Sequence, residues 1–383
     1  MRFEDFQFTR ENKLSSIYSK RNRMSIHKVI IAAAGSGKTT HIIREALENP
    51  DARILITTYT IENTEEIKSK FRELNGYIPS NITILPWYSF VLQHLIRPYQ
   101  KVIYTKRITY LHLSNRQSAP FTKETDFQKH YLLDEETIYS DKAAKMAFKI
   151  NQKTNGAVIK RLGLIFSHIF IDEIQDLAGY DLEILSILCD TDINTVFVGD
   201  PRQSTFLTNH NPKNKNYCRE NIIGYFKVLQ KKGKIIIDET SLNTNYRSIP
   251  EICKFANTIY PEYAEVNYIE TEYDGHHGLY WITEEDIEEY ISATNAIILR
   301  HDKRTAVDSR FKCLNYGESK GRTFNHVIIY PTEGILKWLC NGKALADTTR
   351  SKFYVAATRP KYSLAILDKT GKASNKHFHN YKA

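Results

Sequence analysis

Apolar positions along this chain gather in short, β-branched blocks separated by stretches long enough for a helix. The blocks are Val29–Ile31, Ile54–Thr57, Ile82–Leu85, Ile169–Ile171, Thr195–Val198, Ile235–Ile237, Ala296–Leu299, Val327–Tyr330 and Leu364–Leu367. Several lack polar alternation, the pattern of strands covered on both faces in a parallel sheet. Such strands alternating with helical segments predict an α/β protein.

The rhythm breaks between Arg97 and Arg161, a polar stretch that reads mostly helical, as in Asp141–Ile150 (DKAAKMAFKI). It predicts an insertion between two strands of one sheet. A second change near Lys231–Asp238 marks where one α/β unit ends and another begins. The expected organisation is an N-terminal tail (1–23), a first unit in two parts (24–96 and 162–234) around the helical insertion (97–161), and a second unit (235–383). No internal repeat or low-complexity tract interrupts it.

A length of 383 residues accommodates two cores of ordinary size. Apolar content of 42% and charged content of 25% are those of a globular protein. No apolar run approaches the roughly 20 residues needed to cross a bilayer. The first residues, MRFEDFQFTR, lack the apolar stretch of a secretory leader. The expectation is a cytoplasmic protein with no membrane partner. Cys189, Cys218, Cys253, Cys313 and Cys340 are scattered, without the spacing of a zinc site or a disulfide framework. Net charge is +9, which favours a polyanionic partner through counterion release. The basic runs near the two ends (Lys20, Arg21, Arg23, Lys28; Lys369, Lys372, Lys376, Lys382) read as solvated surface.

Candidate chemistry begins after the first strand, in Ile31–Thr40 (IAAAGSGKTT), which a helical pattern follows (Ile42, Ile43, Ala46, Leu47). Gly35 and Gly37 let the chain bend so that backbone N–H groups from Ala34 through Ser36 to Thr40 converge on one anion. Lys38 adds a point charge for the outer phosphates, and the Thr39 hydroxyl suits Mg²⁺. The helix that follows aims its positive end at the same place. This is a P-loop with Ala32 at the first glycine position, and it predicts ATP and Mg²⁺ as cofactors. His168–Glu173 (HIFIDE) is an apolar strand delivering two carboxylates. In P-loop enzymes the first, here Asp172, holds the Mg²⁺, and the next, Glu173, orients the attacking water.

These boxes and those that follow resemble superfamily 1 helicases of the UvrD/Rep type. IDEIQDL (Ile171–Leu177) is similar to their DExQD box, VGDPRQSTF (Val198–Phe206) to GDxxQS(I)Y and NTNYRS (Asn243–Ser248) to NYRS. ESKGRTFNHV (Glu318–Val327) resembles SKGLEFxxV, and YVAATRPK (Tyr354–Lys361) resembles YVAxTRAK. ITTYTIENTEEI (Ile56–Ile67) and ITILPWYSF (Ile82–Phe90) stand where the family has its DNA-contacting segments. The resemblance implies two RecA-like P-loop domains with parallel sheets, a short helical insertion in the first, and a large accessory insertion of the second mostly absent. It implies a Mg²⁺- and ATP-dependent translocase moving 3′ to 5′ on single-stranded DNA. Gln203 falls on the glutamine that senses the γ-phosphate, and Tyr246 on the aromatic that stacks on adenine. Arg247 and Arg359 fall on the arginines that reach the γ-phosphate. Tyr59, Asn63, Trp87, Tyr88 and Phe206 fall on DNA contacts.

The chain also departs from the family. Thr208 stands in place of a stacking aromatic, Gly317 in place of a histidine, and Thr323 in place of the glutamate that meets the ribose. No glutamine-containing adenine motif precedes the P-loop. Compact UvrD-like chains of this style resemble the subunits paired with OLD-family nucleases in Gabija-type bacterial antiviral defence. That resemblance implies an alternative role: an ATPase subunit that senses DNA ends or nucleotide and signals to a nuclease partner.

Overall fold

A computed structural model describes residues 25–114, 116–209, 211–270 and 273–382; the expected tail at 1–23 lies outside them. Eight strands come first: β1 (His27–Ile31), β2 (Ile54–Thr58), β3 (Ile82–Pro86), β4 (Tyr110–His112), β5 (Thr137–Tyr139), β6 (His168–Ile171), β7 (Asn194–Gly199) and β8 (Ile236–Asp238). Six of them form a parallel sheet in the order β3-β2-β6-β7-β1-β8. A two-residue pair, β9 (Thr244–Asn245) with β10 (Asn267–Tyr268), leads into the second sheet. That sheet contains β11 (Gly278–Ile282), β12 (Ile297–Arg300), β13 (Cys313–Asn315), β14 (Phe324–Tyr330), β15 (Pro360–Leu367) and β16 (His379–Asn380). It too is parallel, in the order β13-β12-β14-β15-β11-β16. Two parallel six-stranded sheets are the architecture of two RecA-like units.

Both faces of each sheet are covered, which is why the strands read as continuous apolar runs. Along β1, Val29 and Ile31 enter one apolar cluster while Ile30 enters the cluster on the opposite face. In the second sheet Val327 and Ile329 face one cluster and Ile328 the other.

Two expectations need correction. The block at Ile235–Ile237, assigned to the second unit, forms β8 at the edge of the first sheet, in register with β1 (Val29 beside Ile237). The Lys28 ammonium pairs with Asp238 at 2.8 Å and holds it there, so the second sheet starts only at Gly278. The insertion is less helical than expected: its longer helices, Ser140–Lys153 and Ala157–Ile165, come late, and before them, among the described residues, stand only the short helices Gln100–Val102 and Phe127–Tyr131. Around the first of these, side chains bond the backbone. Arg97 donates to the carbonyls of Ile108 (3.0 Å) and Thr109 (2.7 Å), and Gln100 to that of Lys106. The stretch before Ser140 carries β4 and β5, paired in parallel. The Ser140–Lys153 helix buries Ala143, Ala144, Met146, Ala147 and Ile150 in the first core, so the insertion is packed onto the sheet.

Candidate active site

The C-terminal ends of β1, β6 and β7 open onto a cleft of about 440 Å³. Its far wall comes from the N-terminal ends of β14 and β15 and from the chain after β9. The P-loop occupies the turn after β1, with Gly35 and Gly37 at φ of 73° and 80°. At Gly35 a side chain is excluded twice. Its φ is left-handed, and a Cβ would lie 2.6 Å from Asn245 Oδ1. The Lys38–Leu47 helix begins directly after Gly37 and is anchored by Ile42, Ile43 and Ala46. Gly35, Ser36, Gly37, Lys38, Thr39 and Thr40 all line the cleft. Ala34 does not: it is buried against the second core with Ile249 and Phe255, because the chain turns into the cleft only after it.

At the end of β6 the Asp172 N–H donates to the Thr57 carbonyl, and Asp172 Oδ1 accepts from the Glu173 N–H at 2.9 Å. Glu173 has φ 57° and ψ 42°, a left-handed conformation that a non-glycine residue adopts at a cost. One of its oxygens, Oε2, accepts from Gln175 Nε2 and from Lys320 Nζ, the latter at 3.1 Å. Gln175 Oε1 in turn accepts from the Asp200 N–H at 3.1 Å, tying the end of β6 to the end of β7. Burial, and then the charge of Glu173, raise the pKa of Asp172. Burial pushes Glu173 the same way, but the Lys320 and Lys38 cations outweigh it and hold Glu173 below the usual carboxylate range. The two neighbouring acids are thereby split into different protonation tendencies.

Arg359, immediately before β15, is 1% exposed and has no carboxylate partner among the described residues. Its guanidinium donates to the carbonyls of Val355 (2.8 Å) and Arg322 (3.2 Å) and to Gln203 Oε1 (3.2 Å). Burial, and then the Arg247 cation, lower its pKa to about 9. Gln203 also donates to Asp200 Oδ2 at 2.8 Å, so one glutamine joins the end of β7 to an arginine of the second sheet. Arg247 donates to the Thr358 carbonyl at 3.0 Å, and burial lowers its pKa. Tyr246 is 67% exposed on the cleft wall, and its N–H donates to the Gly35 carbonyl at 3.0 Å. Lys38, Arg247 and Arg359 thus converge without carboxylate partners among the described residues, while Ser36 Oγ is buried without any partner there. This donor set fits a polyphosphate. Asp172 and the Thr39 hydroxyl are oxygen ligands suited to Mg²⁺.

The sequence reading missed several lining residues. The Ile61–Asn75 helix, capped by Thr60 Oγ1 accepting from the Asn63 N–H at 3.1 Å, presents Asn63, Glu66, Ile67 and Lys70 to the cleft. Their i, i+3, i+4, i+7 spacing was the available signal. Asn63, expected on DNA, therefore belongs to this wall. Thr323, Gly321 and Lys361 close the opposite side.

The expected DNA aromatics are divided. Trp87 is 1% exposed and its indole N–H donates to Asp181 at 2.8 Å; Tyr88 is 9% exposed and its hydroxyl donates to the Thr208 carbonyl at 2.5 Å. Both rings are turned inward and offer no face to a base. The reason is Asp181, a buried acid that also accepts from the Thr208 hydroxyl and from Asn209. Tyr59 is half-buried and lies edge-on to Tyr88 with centroids 5.9 Å apart. Phe206 stays exposed, its ring 3.3 Å from where a Cβ on Gly317 would sit.

With this geometry in view, comparison with known proteins decides one stretch. Residues 144–210 match the UvrD/REP helicase N-terminal domain. The matched segment carries Asp172, Glu173, Gln175 and Gln203, and the helicase domain that it resembles is an ATP-hydrolysing domain. No curated protein matches the chain by sequence. Among solved structures the chain is similar to the Arterivirus nonstructural protein 10 helicase (15% identity, TM-score 0.46, covering 90% of this chain and 59% of that one). The complex of that helicase with DNA gives 16% identity, a TM-score of 0.46 and coverage of 91% and 62%. The PRRSV helicase gives 14%, 0.45, and 94% and 55%. The chain thus spans roughly three fifths of the length of these structures. No helix among the described residues is long and apolar enough to cross a membrane.

Proposed function

We propose that this chain is a UvrD/Rep-type motor ATPase: it hydrolyses ATP with Mg²⁺ and moves 3′ to 5′ along single-stranded DNA. One observation carries the reading. Arg247 and Arg359 of the second unit meet the P-loop and the Asp172–Glu173 pair of the first across a single cleft, and Gln203 is bonded to Arg359. Lys38 and the P-loop amides would hold the phosphates, Asp172 and Thr39 the Mg²⁺, and Tyr246 would stack on the base. The bound Mg²⁺ would neutralise charge on the outer phosphates. Glu173 would take up the proton of the attacking water, and the two guanidiniums would meet charge on the transferred phosphoryl oxygens. Because those arginines come from the second unit, turnover is tied to closure of the cleft. A streptavidin-displacement assay tests the motor: with ATP, the chain should strip streptavidin from the 5′ end of a biotinylated single strand faster than from the 3′ end. Equal rates with and without ATP would contradict it.

The inward turn of Trp87 and Tyr88 favours a second reading. With those rings withdrawn, the same ATPase serves as a DNA-end- or nucleotide-sensing subunit of an antiviral nuclease complex, with an OLD-family nuclease as the partner. ATP hydrolysis that reaches its full rate only with a co-purifying nuclease, and no displacement by the chain alone, would select this reading.

A further inference from the structure

Lys320 reaches Glu173, at the edge of the cleft, from the loop ahead of β14, and nothing in the proposed phosphate or metal contacts uses it. The base of that loop is fixed. Ser319 is fully buried and its hydroxyl donates to the Tyr316 carbonyl at 2.7 Å; Tyr316 is buried in turn and donates to the Tyr330 carbonyl at 2.7 Å. Gly321 follows at φ +80°, where a Cβ would lie 3.3 Å from Glu66 Oε2, so the loop presses close against the Ile61–Asn75 helix. Lys320 thereby reaches across from the second unit with its side chain 8% exposed. Its ammonium lies 3.1 Å from Glu173 Oε2 and 2.7 Å from Asp176 Oδ2.

The two donors to Glu173 converge on the same oxygen. Lys320 Nζ and Gln175 Nε2 both bond Oε2, and no described residue bonds Oε1. Glu173 itself lines the cleft. We infer that Lys320 is a positioning residue for the hydrolytic carboxylate: with Gln175 it pins one oxygen of Glu173 and leaves the other free for the attacking water. This rests on the reading of Glu173 given above, and it adds a second route by which closure controls turnover. The movement that delivers Arg247 and Arg359 also delivers the cation that aligns the base. Opening the cleft withdraws both together. An ion pair serving only structure would act differently, because its loss would lower stability and leave turnover by the folded protein unchanged.

The test is a double-mutant cycle on the full chain, reading steady-state kcat, the dissociation constant of a fluorescent ATP analogue, and Tm. Lys320→Met should lower kcat by about 10- to 100-fold, within the range of general-base effects, while the dissociation constant stays within about threefold. Lys320→Arg should recover part of the rate. In the Glu173→Gln background Lys320→Met should cause no further loss, since its effect passes through that carboxylate. A wild-type kcat for Lys320→Met, or losses that multiply in the double variant, would overturn the inference. Should Lys320→Met fail to fold, Lys320→Ala in both backgrounds carries the same cycle, and a wild-type kcat for it then counts against the role. A Glu173→Gln variant that turns over normally would instead overturn the reading of the site itself.

Discussion

In the proposed function Glu173 and Arg359 divide the chemistry between the two sheets, and substitutions at each should separate binding from turnover. Glu173→Gln keeps the shape and the Gln175 contact but loses the proton acceptor. Nucleotide affinity should persist while kcat falls by about 10²- to 10⁴-fold. Arg359 is a buried cation whose hydrogen bonds go to neutral acceptors, two of them carbonyls, and burial has already lowered its pKa to about 9. Arg359→Met should therefore abolish turnover without lowering the Tm of the nucleotide-free protein, because an uncompensated buried charge is removed with the guanidinium. A large drop in Tm would show that its carbonyl contacts hold the interface together. Asp181 gives a pH-dependent prediction. Burial pushes its pKa from 3.8 up to about 6 against the pull of Thr208 and Trp87. A folded-state pKa raised above the unfolded one favours the folded protein below pH 3.8, and that contribution is lost as pH rises through about 6. The Tm of the wild type relative to Asp181→Asn should fall between those limits; a constant difference across them would place the ionised form in a well-compensated site.

At the scale of elements, close approach of the two units depends on glycines in left-handed conformations. Gly35→Ala would put a Cβ 2.6 Å from Asn245 Oδ1 and 2.9 Å from the Arg247 Cβ. It should weaken nucleotide binding and, by displacing Arg247, lower kcat as well; loss of affinity alone would mean the interface accommodates the methyl group. Every strand block seen in the sequence is a strand in the fold, because a run of β-branched residues buried on both faces has no competing local structure. The P-loop and the strand carrying Asp172 and Glu173 were legible for the same reason, since a turn and two carboxylates follow directly on such strands. The α/β class and the parallel sheets were legible too. What escaped was set by tertiary contact. β8 reads as the opening of a new unit and pairs backwards with β1 through Lys28 and Asp238. Only the family resemblance places Trp87 and Tyr88 on DNA, yet Asp181 and Thr208, far along the chain, draw their polar atoms inward. Lys320 carries no local signal of its position, because its partners lie on the other sheet.

At the scale of the whole molecule, the cleft makes two parallel-sheet units interdependent: Gln203, Arg359, Lys320 and Gly35 are each satisfied or constrained by the opposite unit. A chain of this build should couple hydrolysis to opening and closing. Separating a duplex asks for more. Each base-pair step costs about 0.6–2.2 kcal/mol of stacking, and Trp87 and Tyr88, being buried, offer no ring to hold an opened junction. If the chain is the proposed motor, the isolated monomer should displace long strands weakly, and more weakly still as salt rises, because phosphate contacts dominate binding to nucleic acid. Efficient unwinding of a long 3′-tailed duplex by a proven monomer would contradict this. The most direct measurement of the central claim is steady-state ATP hydrolysis by the purified chain with Mg²⁺, with and without a single-stranded oligonucleotide, for the wild type and Glu173→Gln side by side. The account predicts wild-type hydrolysis that rises with the strand, and a variant that binds nucleotide but does not turn it over. Hydrolysis indifferent to Glu173, or none under either condition, would contradict it.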